Sequence, residues 1–221
     1  MKKRVASTSV ISGADGPTAI FIGGKKTGLP GIRQLIFNAK QKKKRARIEK
    51  TIKANAHTFD EVLQYANEKY GAKEVDVNSR IYKIRKSECK NGLVQNHNPE
   101  LLQAIPQIQP LSPKEMQKED KLKEWLEQVD KQAQQISNLM EAIPESVFPM
   151  DFHLYSIKVE AGELEIEIEK NREYFAINWS GSNAKELLKI QKELYLYYGV
   201  SDKDIESKSM RYNTLIMTLL Q

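Results

Sequence analysis

The sequence is short of the residues that build chemistry. It holds a single cysteine, Cys89, so no internal disulfide framework exists and a reducing compartment fits best. It holds three histidines, His57, His97 and His153, too far apart to form a ligand-spaced pair, so no metal site or cofactor is expected. It lacks any run near the ~20 apolar residues a membrane helix needs, which excludes membrane insertion. The two best candidates, Ala19–Ile22 and Leu215–Leu220, are far too short. No secretory leader is expected: Lys2, Lys3 and Arg4 imitate its basic start, but Ser7, Thr8, Ser9, Ser12, Asp15 and Pro17 break up the apolar stretch that should follow. These absences describe a soluble, cytoplasmic protein with no catalytic constellation, and the reading leans away from an enzyme.

Acidic residues are scarce in one place only. Residues 1–54 carry 14 of the 35 lysines and arginines against two acids, Asp15 and Glu49, a net of +12. The remaining residues, with 21 basic and 27 acidic side chains, net −6. This is a basic arm on a mildly acidic body, suited to an acidic partner, either nucleic acid or protein. The arm's own docking onto that body is the alternative.

Along the chain, Val5–Ile11 and Thr18–Ile22 read as short strands around the turn Gly13-Ala14-Asp15-Gly16-Pro17. A helix follows from Ile32 to about Ala54. Within it Lys40, Lys42, Lys43, Lys44, Arg45 and Arg47 surround more than one turn with positive charge, and these six are the candidate acidic-partner contacts. A second helix opens at Thr58, where Thr58 and Glu61 have capping-box spacing, and stops at Gly71. Glu74–Val77 and Arg80–Lys86 read as strands, and 87–113 as connector with one helical turn at Pro99–Ala104. The helix 112–142 carries Leu122, Leu126, Val129, Ala133, Ile136, Met140 and Ile143 in alternating steps of four and three, a heptad seam. Packing of that seam on its own body is preferred to self-association, which stays open.

The last third changes period. His153–Val159, Glu163–Glu169 and Tyr174–Trp179 read as a three-stranded antiparallel meander. In the middle strand Leu164, Ile166 and Ile168 alternate with Glu163, Glu165, Glu167 and Glu169, as in a sheet with one wet face. Ser182 or Asn183 caps a helix ended by Gly199, and Ser201 with Asp204 opens a last one. The fold class is therefore α+β: a basic helical N-terminal region with a short β unit, then a meander packed with two C-terminal helices. Pro144 to Pro149 divides an N-terminal part, 1–143, from a C-terminal part, 150–221.

Val10 to Phe21, with its Gly13-Ala14-Asp15-Gly16-Pro17-Thr18 core, resembles a signature segment of the β subunits of sodium-translocating decarboxylases. In that family the segment interrupts a membrane helix, and the aspartate matched by Asp15 takes part in sodium and proton coupling. The resemblance covers about residues 10–22, and the chain resembles small soluble bacterial proteins that carry only this string. An aspartate couples ions across a bilayer only where protein shields it at membrane depth, so without spans a tight turn is the simpler role for Asp15. The rival function is a small ligand- or ion-binding protein, or an enzyme, using Gly13, Asp15, Gly16, Thr18 and Lys25. A phosphate loop fits poorly, because Lys26 stands where Walker A needs a hydroxyl after Lys25. Cys89 between Lys86 and Lys90 is a weak candidate for an activated thiol.

Overall fold

The computed structural model describes residues 12–13, 16–17, 30–102 and 108–221, with side chains from residue 37 onward. The fold is α+β. Among the described residues it has seven helices, a two-residue pair of strands near the N-terminus, and one four-stranded antiparallel sheet. None of these helices is long and apolar enough to cross a membrane. The chain forms two compact units, each assembled from separated segments: unit 1 from residues 1–74, 155–168 and 175–221, unit 2 from 75–154 and 169–174.

In unit 1, β1 (Ser12–Gly13) pairs antiparallel with β2 (Gly16–Pro17), Gly13 opposite Gly16. Helix α1 spans Pro30–Thr51 and α2 spans Phe59–Tyr70. The capping box of α2 forms as its spacing implies: the Glu61 amide donates to Thr58 Oγ1 at 3.3 Å, and the Thr58 amide donates to Glu61 Oε2 at 2.7 Å. Gly71, at φ 67°, ends the helix in the left-handed conformation.

The sheet is ordered β3-β4-β5-β6, with β3 at Lys73–Glu74, β4 at Phe152–Val159, β5 at Gly162–Glu169 and β6 at Tyr174–Gly181. Strand β3 adds an edge to the expected meander, Lys73 opposite Ser156 and Glu74 opposite Tyr155. Helix α5 (Ala184–Tyr198) is capped by Asn183. What reads as one final helix is two, α6 (Asp202–Ser207) and α7 (Met210–Leu220). Lys208 turns left-handed at φ 53°, and Ser209 starts a new helix by accepting the Tyr212 amide at 3.2 Å. The core of unit 1 joins Leu164, Ile166 and Ile168 of β5 to Leu187 and Leu194 of α5 and to Tyr212 and Ile216 of α7.

Unit 2 is built on α3 (Arg80–His97) and α4 (Glu119–Ala142). The strand expected at Arg80–Lys86 and the first part of the connector expected beyond it, residues 87–97, belong to helix α3. Ser79 caps it, accepting the Tyr82 amide, and Tyr82, Cys89 and Leu93 then face the core at helical spacing. Two lysines, Lys86 and Lys90, stand in that stripe and disguise its period. Of the turn expected at Pro99–Ala104, Pro99–Leu102 forms, and the rest lies outside the described residues. Ser112 and Glu115 cap a separate short turn, Glu115–Gln117, and the extended Lys118 delays the long helix to Glu119.

The outer face of β5 is drier than its alternation implies. Glu167 and Glu169 are buried. In unit 1, Asn178 Nδ2 donates to Glu167 at 2.7 Å. In unit 2, Glu169 accepts from the amides of Asp151, Asn171 and Arg172 at 3.0, 3.3 and 2.9 Å, with the Arg172 guanidinium 3.7 Å away. Buried carboxylates need such partners, and these form a clasp around the β5–β6 turn.

Candidate acidic-partner interface

Helix α1 docks by one narrow face. Gln41, Arg45, Ile48 and Ile52, spaced four, three and four, are partly covered, with Glu49 beside them, and Ile48 and Ile52 pack against the unit 1 core. Two of the six candidate cations belong to this docking. Arg45 donates to Glu49 at 2.9 Å and to Asn213 Oδ1 of α7 at 3.2 Å. Lys44 Nζ donates to the Leu220 carbonyl, where a cation meets the negative end of α7.

The other four, Lys40, Lys42, Lys43 and Arg47, are exposed, and the structure adds Lys50 and Lys53 to them. At 100° per residue the five within α1 sweep the half turned away from the docked face, and Lys53 follows just past its end. Glu49, the one acid in the helix, is occupied by Arg45. The face is thus continuously positive, and it carries no aromatic side chain.

The segment after α1 fixes that face in place. Ile52 and Thr51 close the helix on the Ile48 carbonyl at 3.2 and 2.7 Å. The Asn55 amide donates to Val200 O at 2.8 Å and the His57 amide to Tyr198 O at 3.0 Å. Arg211 of α7 adds bonds to the carbonyls of Gly199 (2.8 Å), His57 (2.9 Å) and Tyr198, with its guanidinium 3.6 Å above the Tyr198 ring. Gly199 sits at φ 60°, and a Cβ there would meet the Asn55 carbonyl oxygen at 1.9 Å. Only glycine allows the two backbones to approach so closely.

Next to this segment lies an aromatic stack that the sequence does not announce, since its central ring, Tyr197, is over 100 residues from the other two. His57 stacks on Tyr197 at 4.2 Å, and Tyr197 on Tyr65 at 4.1 Å. Tyr65 donates to Glu193 at 2.5 Å, and Lys69 bridges Tyr65 and Glu193. Burial raises the Glu193 carboxyl, but the hydrogen bonds from Lys69, Tyr65 and Tyr70 outweigh it and hold Glu193 below its ordinary value. Burial, reinforced by Glu193, pushes Tyr70 up to about 12. The ring faces inside the stack are filled by one another.

Gly13 and Gly16 lie in the β1–β2 pair, while Asp15, Thr18 and Lys25 fall outside the described residues. Cys89 is buried in the unit 2 core, not presented as a reactive thiol. Its neighbour Lys90 is buried too, donating to the carbonyls of Met140 and Ile143 at 2.7 and 2.6 Å; burial pulls its ammonium below the ordinary lysine value. Among the described residues no three His, Cys, Asp or Glu side chains gather as metal ligands. A groove of about 540 Å³ in unit 2 is lined largely by amides of α4 and by Ile108, Leu111 and Trp125, with Lys121, Glu124 and Lys131 among its walls. It has no nucleophile–base pair.

Comparison of the chain with protein-family models, with curated proteins and with solved structures returns no match.

Proposed function

We propose that this protein is a binding module, not an enzyme, and that the outer face of α1 docks it onto an acidic partner. The supporting observation is the division of labour among the α1 cations. Lys44 and Arg45 hold the helix to α7, whereas Lys40, Lys42, Lys43, Arg47 and Lys50 are exposed on the opposite half, with Lys53 exposed just past the helix end. Like charges this close repel and weaken a helix, so an anionic partner would stabilise the arrangement.

Phosphate backbone suits the face better than a protein surface does. Protein interfaces draw their affinity from buried aromatic and arginine anchors in pockets, and this face has neither pocket nor aromatic. Phosphate recognition needs only positive charge on a firm support, which α1 and its pinned exit supply.

The test is fluorescence anisotropy with labelled duplex and single-stranded oligonucleotides across a salt series. Affinity should depend little on sequence and fall with salt, with a log–log slope of about −4 to −5 on duplex if five phosphates are engaged. Reversing Lys40, Lys42, Lys43 and Arg47 to glutamate should abolish binding and leave the circular dichroism spectrum unchanged. No salt-sensitive binding at low ionic strength, or undiminished binding by the reversed variant, would refute the nucleic-acid reading and leave an acidic protein as the partner to seek.

A further inference from the structure

The heptad seam of α4 is only half used. Its C-terminal members Met140 and Ile143 are buried in the unit 2 core, with Ile136 packed against them. Its N-terminal members are not: Leu122 is 37% exposed and Leu126 48% exposed, with Val129 half-buried and Ala133 exposed. Residues 108–111 do not cover them, because that segment lies on the neighbouring flank. It shares the groove with Trp125, Gln128 and Gln132, and Trp125 Nε1 donates to Gln109 O at 3.1 Å.

We propose that this open half of the seam binds the same seam of a second copy of the chain, the two α4 helices running antiparallel. Charge and size select both the occupant and the orientation. By heptad position Leu122 and Val129 are d residues, and Leu126 and Ala133 are a residues. A parallel pair would leave Lys123 and Asp130, both at e, without an opposite charge, because Lys118 lies before the helix begins and the g residue facing the partner's Asp130 is Trp125. The antiparallel pair with its two-fold axis between the Leu126 and Val129 layers supplies that charge. It places Lys123 against the partner's Asp130 on both sides, and all four of these side chains are exposed in the single chain. The same register sets Leu122 opposite the partner's Ala133 and Leu126 opposite the partner's Val129. Every layer thus combines a larger with a smaller side chain, as interdigitated packing requires. A different protein would need matching charges of its own, whereas a second copy brings them by symmetry.

Four layers cover about 17 Å of helix, less than a standard interface, so the dimer is weak, with a Kd on the order of 100 µM. Sedimentation equilibrium of the full chain, from low micromolar to about 1 mM, should show a monomer–dimer equilibrium. Leu126→Asp should be monomeric with an unchanged circular dichroism spectrum, since the position is exposed. Lys123→Asp should weaken dimerisation about tenfold, and adding Asp130→Lys to it should restore the affinity. A wild-type chain that stays monomeric throughout, or a dimer that survives Leu126→Asp, would overturn the proposal. So would undiminished association of Lys123→Asp, the result expected if Lys123 does not face the partner's Asp130.

Discussion

The two units solve the same problem with unequal means. Among the described residues unit 1 buries twenty apolar side chains in one cluster, and unit 2 buries eight. Four helices of unit 1 begin on a side-chain cap: Thr58, Asn183, Ser201 and Ser209. The longest helix of unit 2, α4, begins on Lys118 with no such cap. Unit 2 compensates with charged groups bonded to backbone. Lys90 ties the end of α4, and the Glu169 clasp ties the β5–β6 turn, where Arg172 also lies 3.7 Å over the Phe148 ring. A large apolar core tolerates the loss of one polar contact; a small one depends on each of them.

Each unit holds one tryptophan, Trp179 in unit 1 and Trp125 in unit 2, so single-tryptophan variants report the two separately. The largest effect should come from Gly199→Val. A branched side chain at positive φ, driven into the Asn55 carbonyl, should cost about 3 kcal/mol or more in urea unfolding followed at Trp179. A loss much smaller than this would mean that the segment after α1 moves aside, and that the basic helix is not firmly held. Next, Lys90→Met should destabilise the Trp125 transition by about 2 kcal/mol, because two buried carbonyls lose a charged donor. A neutral outcome would erase the contrast between the units.

The smallest effect is that of acid on unit 1. The hydrogen bonds from Ser209 and Ser201 outweigh burial at Asp204, holding its carboxyl below the model-compound value of 3.8, and Glu193 is likewise held below 4.5. A carboxyl depressed in the folded state contributes stability that is complete above its unfolded pKa and is lost as pH falls through the folded value. The Trp179 transition should therefore weaken below about pH 4. Asp204→Asn should cost about 1 kcal/mol at neutral pH and flatten that decline. An unchanged acid slope in the variant would remove Asp204 from the account.

What the sequence made legible follows from how local each signal is. The caps at Thr58, Asn183 and Ser201 and the meander strands are written in neighbouring residues, and they form where their spacing places them. Helix α3 was hidden because Lys86 and Lys90 stand in its apolar stripe, and Lys90 is satisfied by carbonyls fifty residues away. The α4 seam shows the converse: the most regular apolar pattern in the chain is half exposed, since a pattern states what can be covered and not what covers it. The cation cluster of α1 was visible, but its division was not. That division depends on Leu220 and Asn213, side by side with α1 only in the folded chain.

The exposed side of α1 can also be regarded as a charged line. Lys40, Lys42, Lys43, Arg47 and Lys50 span eleven residues, or about 15 Å of helix, which places one positive charge every ~3 to 4 Å. A single nucleic acid strand carries one negative charge every ~3.4 Å. At such density a helix gathers a cloud of small anions, as a nucleic acid gathers cations. Pairing the two lines would liberate both clouds, so the free energy of docking would depend on the identity of the buffer anion as well as on that of the cation.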